Sequence, residues 1–362
     1  MPMQILLVRL RLIGDVVFTT PAIRALRRHY PDARLTYLVE AQAAPVVRGN
    51  PHLDEVMVVR HSRGWSRIAD DWRLGRTLAR RRFDLVIDFH GGPRGSWLTW
   101  RTGARQRLGY TVAGRSWMYT QAVERPRELR PRHSVQNQWD LLAALGIPPP
   151  TPAGDPLEMA EDPAARASVD ARLAAAGLGP ETPLVVMHVS AGSPFRRWPA
   201  ESFAAVAAGL VGADRARAVV LTSGPSESEA AEAIGHAARV LAGPALAERI
   251  VRIGEFDLVE LRALIGRAAL YIGGDSGPLH IAGTTRTPVV GLFGPTLAVR
   301  SLPWRDPAVP AVGVEPGPLV CRPCDQRTCA PGDFRCLTGT GPHRVIEAAE
   351  QALAQGRRED RR

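Results

Sequence analysis

Short apolar runs alternate with segments of helical periodicity along almost the whole chain. QILLVRL (4–10), RLTYLVE (34–40), EVMVVR (55–60) and DLVIDFH (84–90) are nearly unbroken apolar runs. Runs of this kind, without strict polar alternation, mark strands covered on both faces, as in a parallel sheet. Between them, DVVFTTPAIRALRRHY (15–30), a segment around 42–48 and DWRLGRTLARRRF (71–83) read as helices. The βαβα rhythm predicts a doubly wound parallel sheet.

The rhythm breaks at the proline-rich, polar stretch GIPPPTPAGDPLEMAEDP (146–163) and then resumes. Strands are expected at PLVVMHVS (183–190), RAVVLTSG (217–224), AALYIGG (268–274) and PVVGLFG (288–294). Helices are expected at ESFAAVAAGLVG (201–212), SESEAAEAIGHAARVLA (226–242) and DLVELRALIGRA (257–268), with a short one starting at PLHIAGT (278–284). Ser226 and Glu229 have the spacing of a capping box. The expected division is a first Rossmann-like domain over 1–150, a linker over 151–164 and a second over 165–343. A closing helix, RVIEAAEQALAQG (344–356), and tail run to 362, and they are expected to cross back to the first domain. In such sheets ligands bind beyond the carboxyl ends of the strands.

With 362 residues, 45% hydrophobic and 23% charged, the chain has the composition of a globular protein with room for two cores. No apolar run approaches the ~18–20 residues of a membrane-spanning helix. The opening MPMQILLVRLRLIGD lacks a secretory signal pattern, which points to the cytoplasm. All 46 basic residues are Arg, and they are unevenly spread. Residues 1–150 carry 24 Arg against 12 acids, a net +12; residues 151–362 carry 22 Arg against 24 acids, a net −2; together they give +10. A strongly basic first half suits an anionic partner: an acidic substrate, an anionic membrane surface or a nucleic acid.

Three turns carry candidate chemistry. In RLRLIGDVVFTTPAI (9–23), Gly14 permits a tight turn and Asp15 opens a helix, where a carboxylate anion is favoured. Asp15 is either a general base or an ordinary helix cap. In GGDSGPLHIAGTTRTPVVGLFGPT (273–296), Gly277 lets main-chain N–H groups approach a diphosphate. Around it, Ser276 offers a hydroxyl, Asp275 a carboxylate for sugar hydroxyls, and His280 lies one turn further on. The third turn, SAGSPFRRWP (190–199), offers Ser190 and the guanidinium forks of Arg196 and Arg197, matched to phosphate. The dinucleotide fingerprint G-x-G-x-x-G is absent, which disfavours hydride transfer.

Together, ILLVRLRLIGDVVFTTPAIRALRRHYPDARLTYLVE, RFDLVIDFHGG, SAGSPFRRWP and the 273–296 block strongly resemble glycosyltransferase family 9, which contains the ADP-heptose:lipopolysaccharide heptosyltransferases. The resemblance runs in order over roughly residues 4–350. It implies the GT-B fold, two Rossmann-like domains facing across a cleft, and an inverting transfer that needs no metal for its chemistry. It implies Asp15 as the base acting on the acceptor hydroxyl. It places the donor, an ADP-heptose-like nucleotide-sugar, against Asp275, Ser276, Gly277 and His280, with Arg196 where relatives often carry Lys. The implied acceptor is an anionic glycolipid of the lipopolysaccharide-core type, not a nucleic acid, met at the inner face of the cytoplasmic membrane by peripheral contact. By charge and position alone, Arg60, Arg63, Arg94 and Arg115 are candidates to meet it. A GT-B sugar-nucleotide epimerase and a non-catalytic polyanion- or nucleotide-binding protein are the competing readings.

The four cysteines, Cys321, Cys324, Cys329 and Cys336, fall in one segment with spacing C-x2-C-x4-C-x6-C. Four thiolates suit a structural zinc; free thiols or disulfides are the alternatives.

Overall fold

A computed structural model describes residues 2–59, 64–124 and 132–359. Arg60 and Arg63 lie outside the described residues. The chain divides into two compact units, Met1–Ala160 and Glu161–Arg362.

The first unit holds a six-stranded sheet: β1 (Gln4–Val8), β2 (Arg34–Glu40), β3 (Glu55–Val59), β4 (Leu85–Asp88), β5 (Gln106–Tyr110) and β6 (Gln121–Val123), in the order β3-β2-β1-β4-β5-β6. The second holds β7 (Leu184–His188), β8 (Ala218–Thr222), β9 (Ile250–Val251), β10 (Leu270–Gly274), β11 (Val289–Leu292) and β12 (Ala311–Val314), in the order β12-β11-β10-β7-β8-β9. Every pairing is parallel. Numbered within its own unit, each sheet has the same 3-2-1-4-5-6 order, the Rossmann order. Each therefore has one switch point, between β1 and β4 in the first unit and between β7 and β10 in the second. There the crossovers leave in opposite directions and open a crevice.

Residues on both faces of the central strands are buried, which explains their unbroken apolar runs. Leu6 and Val8 pack with Leu38, Val86, Leu78 and Leu98 on one face, while Ile5 and Leu7 are equally buried on the other. In the second unit, Val185, Met187, Val219 and Ile272 pack against Phe203, Val206 and Leu210 of the helix Ala200–Ala213. The closing helix Pro342–Glu359 adds Val345, Ala349, Ala352 and Leu353 to that same core.

Three local expectations change. The helix expected over 15–30 is two helices, Ile13–Val17 and Thr20–His29. Pro21 has no N–H to offer Val17, and the Thr19 and Thr20 hydroxyls donate instead to the Val16 and Val17 carbonyls at 2.7 and 2.8 Å. The Ser226/Glu229 capping box does not form, because a tight turn over Pro225–Glu227 delays the helix to Ser228–Ala242. Residues 151–160 are no free linker. They dock on the first unit: the Glu158 N–H donates to Thr20 Oγ1 at 2.9 Å, Arg24 pairs with Glu158 at 3.1 Å, Arg28 pairs with Asp155, and Leu157 and Met159 are buried. Among the described residues, no helix is long and apolar enough to cross a membrane.

Candidate functional site

Each switch point gathers the polar residues that the sequence left isolated, so each unit has its own half of the candidate machinery.

In the first unit, Arg9 follows β1 into the crevice. It is buried, and its guanidinium donates to the Phe89 carbonyl at 2.5 Å and pairs with the Asp15 carboxylate. The Leu12 N–H approaches Asp15 Oδ2 at 3.4 Å. Asp15 keeps 37% of its side chain exposed, so a fixed cation orients it while one side stays open to a ligand. The neighbouring crevice wall comes from the turn after β4. Asp88 is fully buried and accepts from the Tyr119 hydroxyl at 2.6 Å and the His90 and Gly91 N–H groups at 2.8 and 3.0 Å. Burial still pushes its carboxyl above the usual range. His90 is held below its ordinary value, first by burial and then by the charge of Arg9; its ring also bonds the Arg11 main chain. Its Nδ1 is buried without a hydrogen-bond partner.

Two of the four arginines assigned to the acceptor are described, and they differ. Arg94 is only 11% exposed and already matched: its Nε donates to Asp71 at 2.9 Å and its Nη1 to Glu40 at 3.0 Å. Arg115 Nη2 approaches the Gly91 carbonyl at 3.5 Å, and its side chain lines an open groove of about 390 Å3 with Trp72 and Trp97.

In the second unit, the turns after β7 and β10 press together; a Cβ on Gly274 would meet the Arg196 carbonyl at 3.3 Å. Asp275 is buried at the contact and serves as a hub. Thr296 and Ser301 hydroxyls donate to it at 2.6 and 3.0 Å, Arg196 Nη1 lies at 3.3 Å and His280 Nε2 at 3.6 Å. Both carboxylate oxygens are thus engaged, which makes Asp275 an organiser of the loop. Arg196 also donates to the Asp275 carbonyl at 2.8 Å and to Gln326 Oε1 at 2.7 Å, with 31% of its side chain left open. Ser276, whose hydroxyl donates to the Gly274 carbonyl at 3.2 Å, and Gly277, which begins the helix Gly277–Ala282, share this turn with His280.

Ser190 belongs to a polar chain beside them. His188 bridges Thr222 Oγ1 through Nδ1 and Ser190 Oγ through Nε2, each at 3.0 Å, and the Gly224 N–H donates to Ser190 Oγ at 2.9 Å. Burial lowers His188 from 6.5 to about 4, so the ring is neutral near pH 7. In the tautomer that places the proton on Nε2, Ser190 accepts from both His188 and Gly224. Its own proton is then free for an anion.

The four cysteines are free and half-buried, and line one cavity of about 230 Å3 with Phe195, Pro331 and Phe334. The Cys336 thiol is pushed up by burial and by the other three sulfurs. Of the alternatives for this segment, a structural zinc is without support: among the described residues, no three His, Cys, Asp or Glu side chains are grouped so as to hold a metal. The segment also braces the turns after β7 and β10, with Gln326 accepting from Arg196 and Arg322 donating to the Thr296 carbonyl at 2.7 Å.

Sequence reasoning missed Arg9, Asp88, His90, His188, Thr296, Ser301 and Gln326. The strand ends were a usable signal for the first four. Nothing in the sequence pairs Thr296, Ser301 or Gln326 with residues 275 and 196.

Comparison with known proteins adds an independent line. The model of glycosyltransferase family 9 (heptosyltransferase) matches residues 71–332. Lipopolysaccharide heptosyltransferase 3 of Escherichia coli is 29% identical over 304 residues, 82% of this chain and 84% of that protein. The crystal structure of a family 9 glycosyltransferase from Veillonella parvula superposes with a TM-score of 0.83 at 24% identity, covering 98% of both chains. The E. coli ADP-heptose lipopolysaccharide heptosyltransferase II structure does so with a TM-score of 0.76 at 20% identity, covering 98% of this chain and 99% of that one. Two parallel Rossmann sheets of GT-B type accord with these matches. The chain belongs to glycosyltransferase family 9, and it is a glycosyltransferase.

Proposed function

We propose that this enzyme transfers a heptose from ADP-heptose to an anionic, lipopolysaccharide-core-type glycolipid, with inversion at the anomeric carbon. The observation that carries the reading is the division of chemistry between the two switch points. Asp15 stands exposed and cation-oriented at one; Arg196, Ser190, Ser276 and Gly277 cluster at the other. The named relatives supply the sugar and the nucleotide.

In the reaction, Asp15 takes the proton of the acceptor hydroxyl as its oxygen attacks the anomeric carbon. The new glycosidic C–O bond forms as the bond to the β-phosphate breaks, on the opposite face, and ADP leaves with the electron pair. Arg196, held by Gln326 and the Asp275 carbonyl, meets the growing negative charge without having to reorganise. Ser190, with its proton free in the tautomer described, donates to a phosphate oxygen. Asp275 acts indirectly, by fixing Arg196, Thr296 and Ser301. Arg9 holds the Asp15 carboxylate in place, and Arg115 offers a guanidinium to an acidic group of the acceptor.

The deciding experiment supplies purified enzyme with ADP-heptose and a deacylated lipopolysaccharide-core acceptor, and follows ADP release and product mass. Transfer with ADP-heptose that fails with UDP- and GDP-sugars supports the reading. Conversion of the donor without any acceptor defeats it in favour of an epimerase.

A further inference from the structure

Tryptophan is used unevenly in this protein. Of the chain's eight, Trp139, Trp198 and Trp304 are buried at 4%, 4% and 9% exposure. Four others, Trp72, Trp97, Trp100 and Trp117, form one surface cluster in the first unit, joined by edge-to-face contacts of 5.6 Å between Trp72 and Trp97 and between Trp100 and Trp117. Arg101 ties the pairs together, its guanidinium lying 5.0, 6.0 and 5.8 Å from the ring centres of Trp72, Trp97 and Trp100. Ile68, one turn before Trp72 in the helix Gly64–Arg80, extends the face. Ile68, Trp72 and Trp117 are 50%, 51% and 62% exposed.

The surrounding charge is one-sided. Arg67, Arg94 and Arg115 line the groove beside Ile68, Trp72 and Trp97, and Arg101 lies over the indoles, against the single carboxylate Asp71 in that lining. Asp70 is taken by Arg73 at 3.3 Å and Asp71 by Arg94. Among the described residues, no carboxylate pairs with Arg101 or Arg115.

We propose that this indole–guanidinium face seats the first unit on an anionic lipid bilayer. Indoles favour the headgroup boundary, where the ring leaves water and the N–H stays hydrated. Arginine stems lie along apolar surface while the guanidinium reaches phosphate. A protein partner would also use Trp and Arg, but the excess of unpaired cations selects an anionic surface. The face follows from geometry alone. Its purpose, bringing the enzyme to a membrane-borne acceptor, rests on the function proposed above.

The test uses the full chain with vesicles of phosphatidylcholine, with and without phosphatidylglycerol. Co-sedimentation is expected only with the anionic vesicles, weakening as salt is raised. Quenching of tryptophan emission by brominated lipid is expected to accompany it. Trp117→Ala and Trp100→Ala, at exposed positions outside the groove that Arg115 lines, are each expected to lower vesicle partition about tenfold. ADP affinity and transfer to a deacylated, soluble acceptor should stay unchanged. Absence of binding to any vesicle overturns the proposal, as does binding that both substitutions leave intact. Loss of transfer to the soluble acceptor in Trp117→Ala also overturns it, assigning the face to the acceptor's sugars. A concentration-dependent dimer broken by the same substitutions, without vesicle binding, assigns it to a second copy of the chain and overturns it too. Vesicle binding by an enzyme that transfers no heptose supports the surface while removing the function. Transfer to the soluble acceptor without vesicle binding does the reverse.

Discussion

The two units carry the same strand order and place opposite kinds of chemistry at the same topological position. At the first switch point a carboxylate is open to one side and steadied by one buried arginine. At the second, a carboxylate is buried and its oxygens are engaged from four directions. A part-exposed carboxylate, held by one arginine and one main-chain N–H, can exchange a proton with a ligand. A buried, saturated one fixes the shape of its neighbours. The fold supplies the location, and burial with hydrogen bonding decides the role.

The difference is best broken at Asp15. As a general base it should contribute about 10²–10⁴ in rate. Asp15→Asn is therefore expected to lower kcat by about that factor while calorimetry finds ADP affinity unchanged. Near-normal turnover would remove the contrast between the units.

A pH measurement addresses the second unit. Folded His188 titrates at about 4 and the unfolded side chain near 6.5. Between these values the unfolded chain holds a proton that the folded one refuses, so stability is lost as pH falls from ~6.5 towards ~4. The full difference amounts to about 3 kcal/mol. Urea titrations across that window should register it, and His188→Asn should flatten this part of the profile.

Asp275→Ala strips Arg196, Thr296, Ser301 and His280 of a shared acceptor at a buried site. A loss of about 2–3 kcal/mol is expected in the same urea assay, with weakened ADP binding. If Asp275 instead acts only on the sugar, stability will hold and the KM for donor alone will rise.

The smallest effect concerns Arg94. Because Asp71 and Glu40 already match it, Arg94→Gln is expected to reduce stability by about 1–2 kcal/mol and leave the acceptor KM unchanged. A rise in that KM with full stability would return Arg94 to the acceptor, beside Arg115.

The strands were legible because both their faces are buried, so their apolar runs needed no partner to be recognised. The turns at 15, 190–197 and 275–280 were legible for a related reason: glycine, serine and charged residues stand out directly after such runs. What stayed hidden depended on distance along the chain. Asp275 offers the same carboxylate in sequence whether it meets a sugar or Thr296 and Ser301. Arg94 looks as free as Arg115 until Asp71 and Glu40 are placed against it. The cysteine cluster left a metal, free thiols and disulfides all open; in the structure the thiols are free and line a cavity, and their segment braces Arg196.

The sequence by itself determined two Rossmann sheets, the turns that hold the candidate residues and the family, because these follow from local pattern and short contiguous motifs. Only the tertiary structure decided which charged groups remain available. Availability depends on what burial and distant partners have already claimed. No local pattern encodes the neighbours of Asp15, Asp275 and Arg101.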